Sequence, residues 1–113
     1  VVRRDMIVEL SLHEKLFLLG IARYFKQTDS AYVSMGEAEE SYELACEEYE
    51  EKPRGHTQLW KYVNSLSTTG IIETMVSGVG QRGKTTMIGL PRVPATDLEQ
   101  EITKMMSQKG RYN

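Results

Sequence analysis

Residues 78–85, GVGQRGKT, satisfy the phosphate-loop pattern GxxxxGK[ST]. In a working phosphate loop the glycines let backbone N–H groups wrap an anion, and the lysine and threonine open a helix whose N-terminus faces it. Here Thr85 is followed by TMIGLP, which cannot sustain a helix before Pro91. The rest of the chain offers neither further strands for a parallel sheet nor a magnesium-binding acid at a strand end. The stretch therefore reads as a glycine-rich turn that holds Arg82 and Lys84 out at a tip. Other reactive residues are sparse. His13 and His56 have no partner at ligand spacing, and Cys46, the only cysteine, can complete neither a zinc site nor an internal disulfide. Cys46 reads as a small buried hydrophobe. His56 reads as an exposed loop histidine just ahead of a helix, with contact to a phosphate as the other option. With no Ser/His/Asp or Cys/His arrangement, the expectation is a non-enzymatic chain without metal or cofactor.

What remains is chemistry suited to a polyanion. Arg54, Lys61, Arg82 and Lys84 can offset phosphate charge, with Thr57, Thr85 and Thr86 as neutral donors. The amides of Gln58 and Asn64 are the candidates for base edges, because an amide can pair with adenine. The charge distribution fits this use. Residues 37–51 contain eight glutamates and no lysine or arginine, whereas residues 52–113 carry nine basic and four acidic side chains. The net charge of −2 conceals that division. The glutamate run itself reads as a solvated helix face, with a basic partner as an unsupported alternative.

The elements that must position these residues are legible from start and stop signals. Residues 1–10 read as the end of a helix arriving from upstream. Ser11 with Glu14 forms a capping-box pattern, and Leu12, Leu16, Leu19, Ala22 and Phe25 give a first amphipathic helix to about Lys26. Residues 27–32 read as a polar connection. Ser34 with Glu37 opens a second helix striped by Met35, Ala38, Tyr42, Ala45 and Tyr49, and stopped by Lys52, Pro53 and Gly55. Thr57 is expected to cap a third helix ending at Gly70. Leu59, Tyr62, Val63 and Leu66 lie on one side of it. Thr57, Lys61 and Asn64, flanked by Gln58, Trp60 and Ser65, form an opposite face without a carboxylate. Residues 71–77 and 85–90 read as a hairpin around the cationic loop. Thr96 with Glu99 is read as a further capping box, opening a short final helix striped by Leu98, Ile102 and Met105 or Met106.

Three helices, a hairpin and a closing helix predict a mainly α chain with a small β-hairpin, the winged helix-turn-helix plan. In that plan the third helix can enter a major groove while the wing reaches a neighbouring strand.

Three stretches carry a resemblance. Residues 10–25, LSLHEKLFLLGIARYF, look like the helix that opens the C-terminal domain of archaeal replication initiators, the origin-recognition and cell-division-cycle initiator ATPases. Residues 41–53, SYELACEEYEEKP, resemble the tyrosine- and acid-rich helix of that family. Residues 64–90, NSLSTTGIIETMVSGVGQRGKTTMIGL, are similar to its GII segment, glycine-arginine-glycine wing and threonine-rich return strand. The likeness covers about residues 1–92, and the opening ten residues resemble the end of the upstream ATPase lid.

The resemblance implies an origin-binding winged helix that grips duplex DNA, with ATP held only by an ATPase domain outside this chain. Carried over, the wing role falls on Gln81, Arg82, Gly83 and Lys84, and the helix role on Thr57, Gln58 and Lys61. Many members carry two arginines early in the third helix, where this chain has Thr57 and Gln58, which implies modest affinity. A domain organisation follows: 1–10 linker, 11–92 winged-helix domain, 93–113 helix and tail. The partners expected are double-stranded origin DNA and the replicative helicase, and the isolated domain is expected to be a monomer. The rival expectation is a protein-docking module that recruits the helicase or contacts the initiator's own ATPase domain, through the glutamate-rich helix or Met105 and Met106.

Size and composition agree with one such domain. The chain has 113 residues, 40% hydrophobic and 27% charged, which is enough apolar surface for one modest core. No run of about 18 apolar residues is present, so no membrane span is expected. A start at Val1 rather than Met reads as a processed chain or a fragment of a longer one. A staple-free domain with one cysteine is expected in a reducing, cytoplasmic setting near the nucleoid.

Overall fold

The computed structural model describes residues 4–78 and 84–111. The elements in chain order are α1 (Arg4–Val8), α2 (Leu12–Lys26), β1 (Val33–Ser34), α3 (Met35–Glu48), α4 (His56–Thr68), β2 (Glu73–Ser77), β3 (Thr85–Gly89) and α5 (Ala95–Arg111). This is a mostly helical fold with a small antiparallel sheet. Both early capping boxes form as expected. Ser11 and Ser34 accept from the N–H groups of Glu14 and Glu37, whose carboxylates accept in return from the cap N–H groups.

Helix α2 is the centre of the core. Residues 16–22 are buried without a break, because α3 covers one side of the helix and α5 the other. The expected stripe of Leu12, Leu16, Leu19, Ala22 and Phe25 lies in or against the core, and α5 extends burial beyond it to Phe17, Leu18 and Ile21. That helix runs for 17 residues and lays Leu98, Ile102 and Met106 against the core. It is neither short nor opened by Thr96. The Pro94 carbonyl already accepts from the Leu98 N–H at 3.0 Å, so Thr96 stands inside the first turn. Backbones come close at Gly20, where a Cβ would sit 2.7 Å from Ser41 C and Tyr42 N of α3.

The second and third helices end in the same way. At the end of α4, Gly70 has φ +83°, its N–H donates to the Ser67 carbonyl at 3.1 Å, and the Ile71 N–H donates to the Leu66 carbonyl at 3.1 Å. This is a complete Schellman closure, with buried Ile71 and Leu66 as its apolar contact. At the end of α3, Glu50 takes the left-handed position at φ +56°, and the Glu51 N–H donates to the Cys46 carbonyl at 2.8 Å. The helix thus stops at Glu48, before the Lys52, Pro53 and Gly55 that the sequence offered as its terminator.

Two further expectations need correction. Gly55, not Thr57, is the N-cap of α4, and its carbonyl accepts from the Leu59 N–H at 3.1 Å. The hairpin is part of a three-stranded sheet of order β1-β3-β2, in which Val33 pairs with Ile88 and Met75 with Met87. A two-residue strand has too little alternation to be legible in sequence. The buried Val33 and Ile88 tie this sheet to the helical core.

Candidate nucleic-acid interface

Helix α4 buries Leu59, Val63 and Leu66 and turns its other side outward. Thr57, Lys61, Asn64, Ser65 and Thr68 are exposed, and Gln58 and Trp60 are half-buried. No acidic residue lies in α4. The side of α4 that the sequence marked as free of acid is thus exposed, apart from the half-buried Gln58 and Trp60. Arg54 is exposed in the loop ahead of α4, and Lys84 and Thr85 are exposed where β3 begins, with Thr86 half-buried behind them. Gln81, Arg82 and Gly83, the expected wing tip, lie outside the described residues.

Carboxylates hold some of the cations and not others. On the α2 side, Arg23 binds Glu48 at 2.8 Å and Glu99 at 3.1 Å, Lys26 also binds Glu99, and Arg4 binds Glu101 at 2.7 Å. The Glu48 carboxylate holds the Arg23 guanidinium above its usual pKa, against the cost of partial burial, with Glu99 assisting. Lys26, and then Arg23, hold the Glu99 carboxyl below the usual carboxylate range. Arg54, Lys61 and Lys84 take part in no ion pair among the described residues. The glutamate run is thus largely structural or solvated. Glu37 caps α3, Glu48 holds Arg23, and Glu40, Glu43 and Glu47 face water.

Two polar linkages set the entrance to α4, and neither was visible as a motif. The first is centred on Tyr42, buried in α3. Its hydroxyl oxygen accepts from the Arg54 N–H at 2.7 Å and lies 2.9 Å from His13 Nδ1. With the backbone as donor, the hydroxyl proton is free to point at the imidazole. Burial pushes the Tyr42 phenol well above its ordinary pKa, so it stays a neutral donor. One hydroxyl therefore fastens the loop that carries Arg54 to both α3 and α2. Cys46, one turn further along α3, is fully buried, and desolvation raises its thiol pKa.

The second linkage corrects the reading of His56 as a loop histidine. It is the first residue of α4, exposed but engaged on both ring nitrogens. Its Nδ1 meets the Glu39 carboxylate of α3, and its Nε2 accepts from the Trp60 indole N–H at 2.7 Å. The spacing of His56 and Trp60, four apart on one helix face, is the signal that could have exposed this pair. Among the described residues no group of His, Cys, Asp and Glu could hold a metal ion, and no helix is long and apolar enough to cross a membrane.

Comparison with known proteins places this geometry. The family model described as CDC6, C-terminal winged helix domain, matches residues 5–101, reaching beyond the end of the sequence resemblance into α5. The ORC1-type DNA replication protein 2 of Saccharolobus solfataricus is 38% identical over 86 residues, covering 76% of this chain and 21% of that protein. The crystal structure of Cdc6p from Pyrobaculum aerophilum superimposes with a TM-score of 0.84 at 44% identity, over 96% of this chain and 27% of that one. The Aeropyrum pernix ORC1 protein in complex with DNA shares the fold, with a TM-score of 0.76 at 23% identity over 89% of this chain and 26% of that one. The chain spans roughly a quarter of the length of these relatives.

Proposed function

The chain belongs to the family of CDC6 C-terminal winged helix domains, and from that premise we propose that it binds duplex DNA at replication origins through α4 and the β2–β3 wing. The observation that carries this reading is the division of its cations. Arg23 and Lys26 of α2 are held by carboxylates, while Arg54, Lys61 and Lys84 take part in no ion pair among the described residues and stand around a helix without acid. An unpaired surface cation is what counterion release from a polyanion requires.

In this reading Arg54, Lys61, Arg82 and Lys84 contact phosphates, and Thr57, Gln81, Gly83, Thr85 and Thr86 supply neutral contacts to the backbone. Gln58 and Asn64 reach base edges. With four charge contacts, the salt slope of log K is about −3.6, at about −0.9 per phosphate. That is a modest affinity, since Thr57 and Gln58 add no charge to the start of α4. The domain contributes binding rather than catalysis, ATP being the business of an ATPase domain elsewhere in the initiator. The isolated domain acts as a monomer.

The test is an anisotropy titration of origin and random duplexes side by side. Arg82→Ala combined with Lys84→Ala should weaken binding to both, whereas Gln58→Ala should change the ratio between them. An unchanged affinity in the wing double variant would refute the wing's role.

One observation favours docking to the replicative helicase or to the initiator's own ATPase domain instead. Leu44 is 67% exposed on α3 amid Glu40, Glu43 and Glu47. The terminal methionines do not support that reading, since Met106 is buried and Met105 half-buried in the core. Shift mapping with duplex DNA separates the two: perturbations on residues 57–65 and 79–86 favour the first, and none with DNA favours the second.

A further inference from the structure

Arg92 follows the wing and is exposed. Its Cζ and Nη1 lie 3.9 Å from where a Cβ on Gly70 would stand. Gly70 closes α4 in the left-handed conformation, so the guanidinium rests on the C-terminal end of that helix. A cation at that end ordinarily caps the last carbonyls or serves the helix dipole. Here the carbonyls of residues 64–67 are already engaged. Asn64 O accepts from the Thr68 hydroxyl at 2.9 Å, and Ser65 O from the Thr69 N–H at 3.2 Å. Leu66 O accepts from the Ile71 N–H and, at 3.0 Å, from the Thr69 hydroxyl, and Ser67 O accepts from the Gly70 N–H. The Arg92 side chain makes no hydrogen bond and no ion pair among the described residues. Glu73, the first acid after α4, is turned over Gly89 instead, its Cγ 3.3 Å from where a Cβ there would stand. A full charge and five N–H donors are thus held at the end of α4 with no acceptor among the described residues.

We infer that Arg92 is a further phosphate-binding residue of the α4 interface, serving the C-terminal end of the helix as Arg54 serves the other. The inference rests on the proposed DNA-binding role of α4 and adds a contact from a segment outside both the helix and the wing. Helix α4 has 13 residues and is about 20 Å long, whereas the major groove of B-DNA is about 12 Å wide. A helix laid across that groove overhangs both of its borders, so cations at its two ends come over different phosphate strands. Arg54 is placed at one end by the bond from its N–H to the Tyr42 hydroxyl, and Arg92 at the other by its rest on Gly70. A guanidinium with its donors available can take a phosphate bidentately, through two parallel N–H···O bonds. The added contact steepens the salt dependence by about 0.9 beyond the four contacts already counted.

Three variants test this by anisotropy with labelled origin and random duplexes over a salt series. Arg92→Gln should weaken binding to both duplexes alike, by about fivefold at about 150 mM salt, and make the slope of log K against log salt shallower by about 0.9. Arg92→Lys should keep the slope, because the charge stays while the bidentate geometry is lost. Lys61→Ala is the reference for α4 itself and should flatten the slope by the same amount as Arg92→Gln. Urea unfolding of Arg92→Gln should match the wild type, because no acceptor within the described residues loses a bond. The inference is overturned if Arg92→Gln keeps wild-type affinity and slope while Lys61→Ala loses them. It is overturned equally if the weaker binding of Arg92→Gln comes with a lowered urea midpoint, which marks a structural role. If Lys61→Ala also keeps the full slope, or the wild type binds no duplex at any salt, the functional reading of α4 fails and Arg92 falls with it.

Discussion

The most discriminating perturbation of the proposed interface is the pair Lys61→Ala and Lys84→Ala. Both side chains are exposed and in no ion pair among the described residues, so their loss removes charge without leaving a buried partner. Four cations facing phosphates give a slope of log K against log salt of about −3.6, and removing two leaves about −1.8. Raising salt from about 50 to about 200 mM, a fourfold step, should then weaken the unaltered chain about 150-fold and the double variant only about 12-fold. Lys104→Ala, on the exposed side of α5, is the control and should leave the slope unchanged. Fluorescence anisotropy over a salt series, on one random and one origin duplex, measures all three. The reasoning fails if the double variant keeps the full slope, because its lysines would then not be displacing counterions. It fails equally if Lys104→Ala flattens the slope as much, because binding would then follow net charge rather than the α4 face.

Other expectations concern the scaffold. Gly20→Ala should destabilise the chain by about 3 kcal/mol in urea unfolding, because a methyl at 2.7 Å from α3 backbone forces two core helices apart. Wild-type stability in that variant would mean the helices do not approach so closely. Glu50→Gly should stabilise by about 0.5–1 kcal/mol, the left-handed penalty of about 1–2 kcal/mol less the entropy that glycine adds to the unfolded chain. Glu99 titrates below its unfolded value of about 4.5, so its contribution is present above that pH and lost as pH falls through the folded value. Glu99→Gln should therefore flatten the acid limb of the stability profile below about pH 4.5, as followed by circular dichroism, and an unaltered limb would refute the role given to its Lys26 and Arg23 contacts.

Much of this architecture is legible because local signals and burial agree. Ser11–Glu14 and Ser34–Glu37 are capping boxes in sequence and in structure, and the stripe of Met35, Ala38, Tyr42 and Ala45 is the stripe that α3 buries. Signals fail where a neighbour decides. Thr57 and Thr96 have the right residue type for a cap, but the Gly55 and Pro94 carbonyls accept the first helical bonds and leave both threonines inside their helices. Residues 16–22 are buried all round because α5 lies behind them, which no periodicity within α2 could announce. The α4 face was readable as a surface without acid, since that needs only helical angles and residue types. Glu39 and His56, 17 positions apart, meet only through the turn around Glu50, so their contact required the fold. The same holds for Tyr42 and Arg54, joined by a hydroxyl that a stripe of apolar positions presents merely as core.

That turn also accounts for how one small chain keeps strongly acidic and cationic surfaces side by side without their collapsing onto each other. Glu50 reverses the chain at the end of α3, and the Tyr42 hydroxyl pins the Arg54 N–H immediately after it. The glutamates of α3 and the cations around α4 therefore belong to consecutive helices, linked where Glu39 meets His56. The acids nearest α2 and α4 are the ones given partners, Glu48 with Arg23 and Glu39 with His56, while Glu40, Glu43 and Glu47 are left to water. A duplex approaching from the α3 side meets uncompensated carboxylates, and one approaching α4 meets uncompensated cations. In the proposed DNA-binding role this division of charge favours approach through α4. The weak net charge of −2 is what remains when the acidic residues 37–51 are set against the more basic residues before and after them.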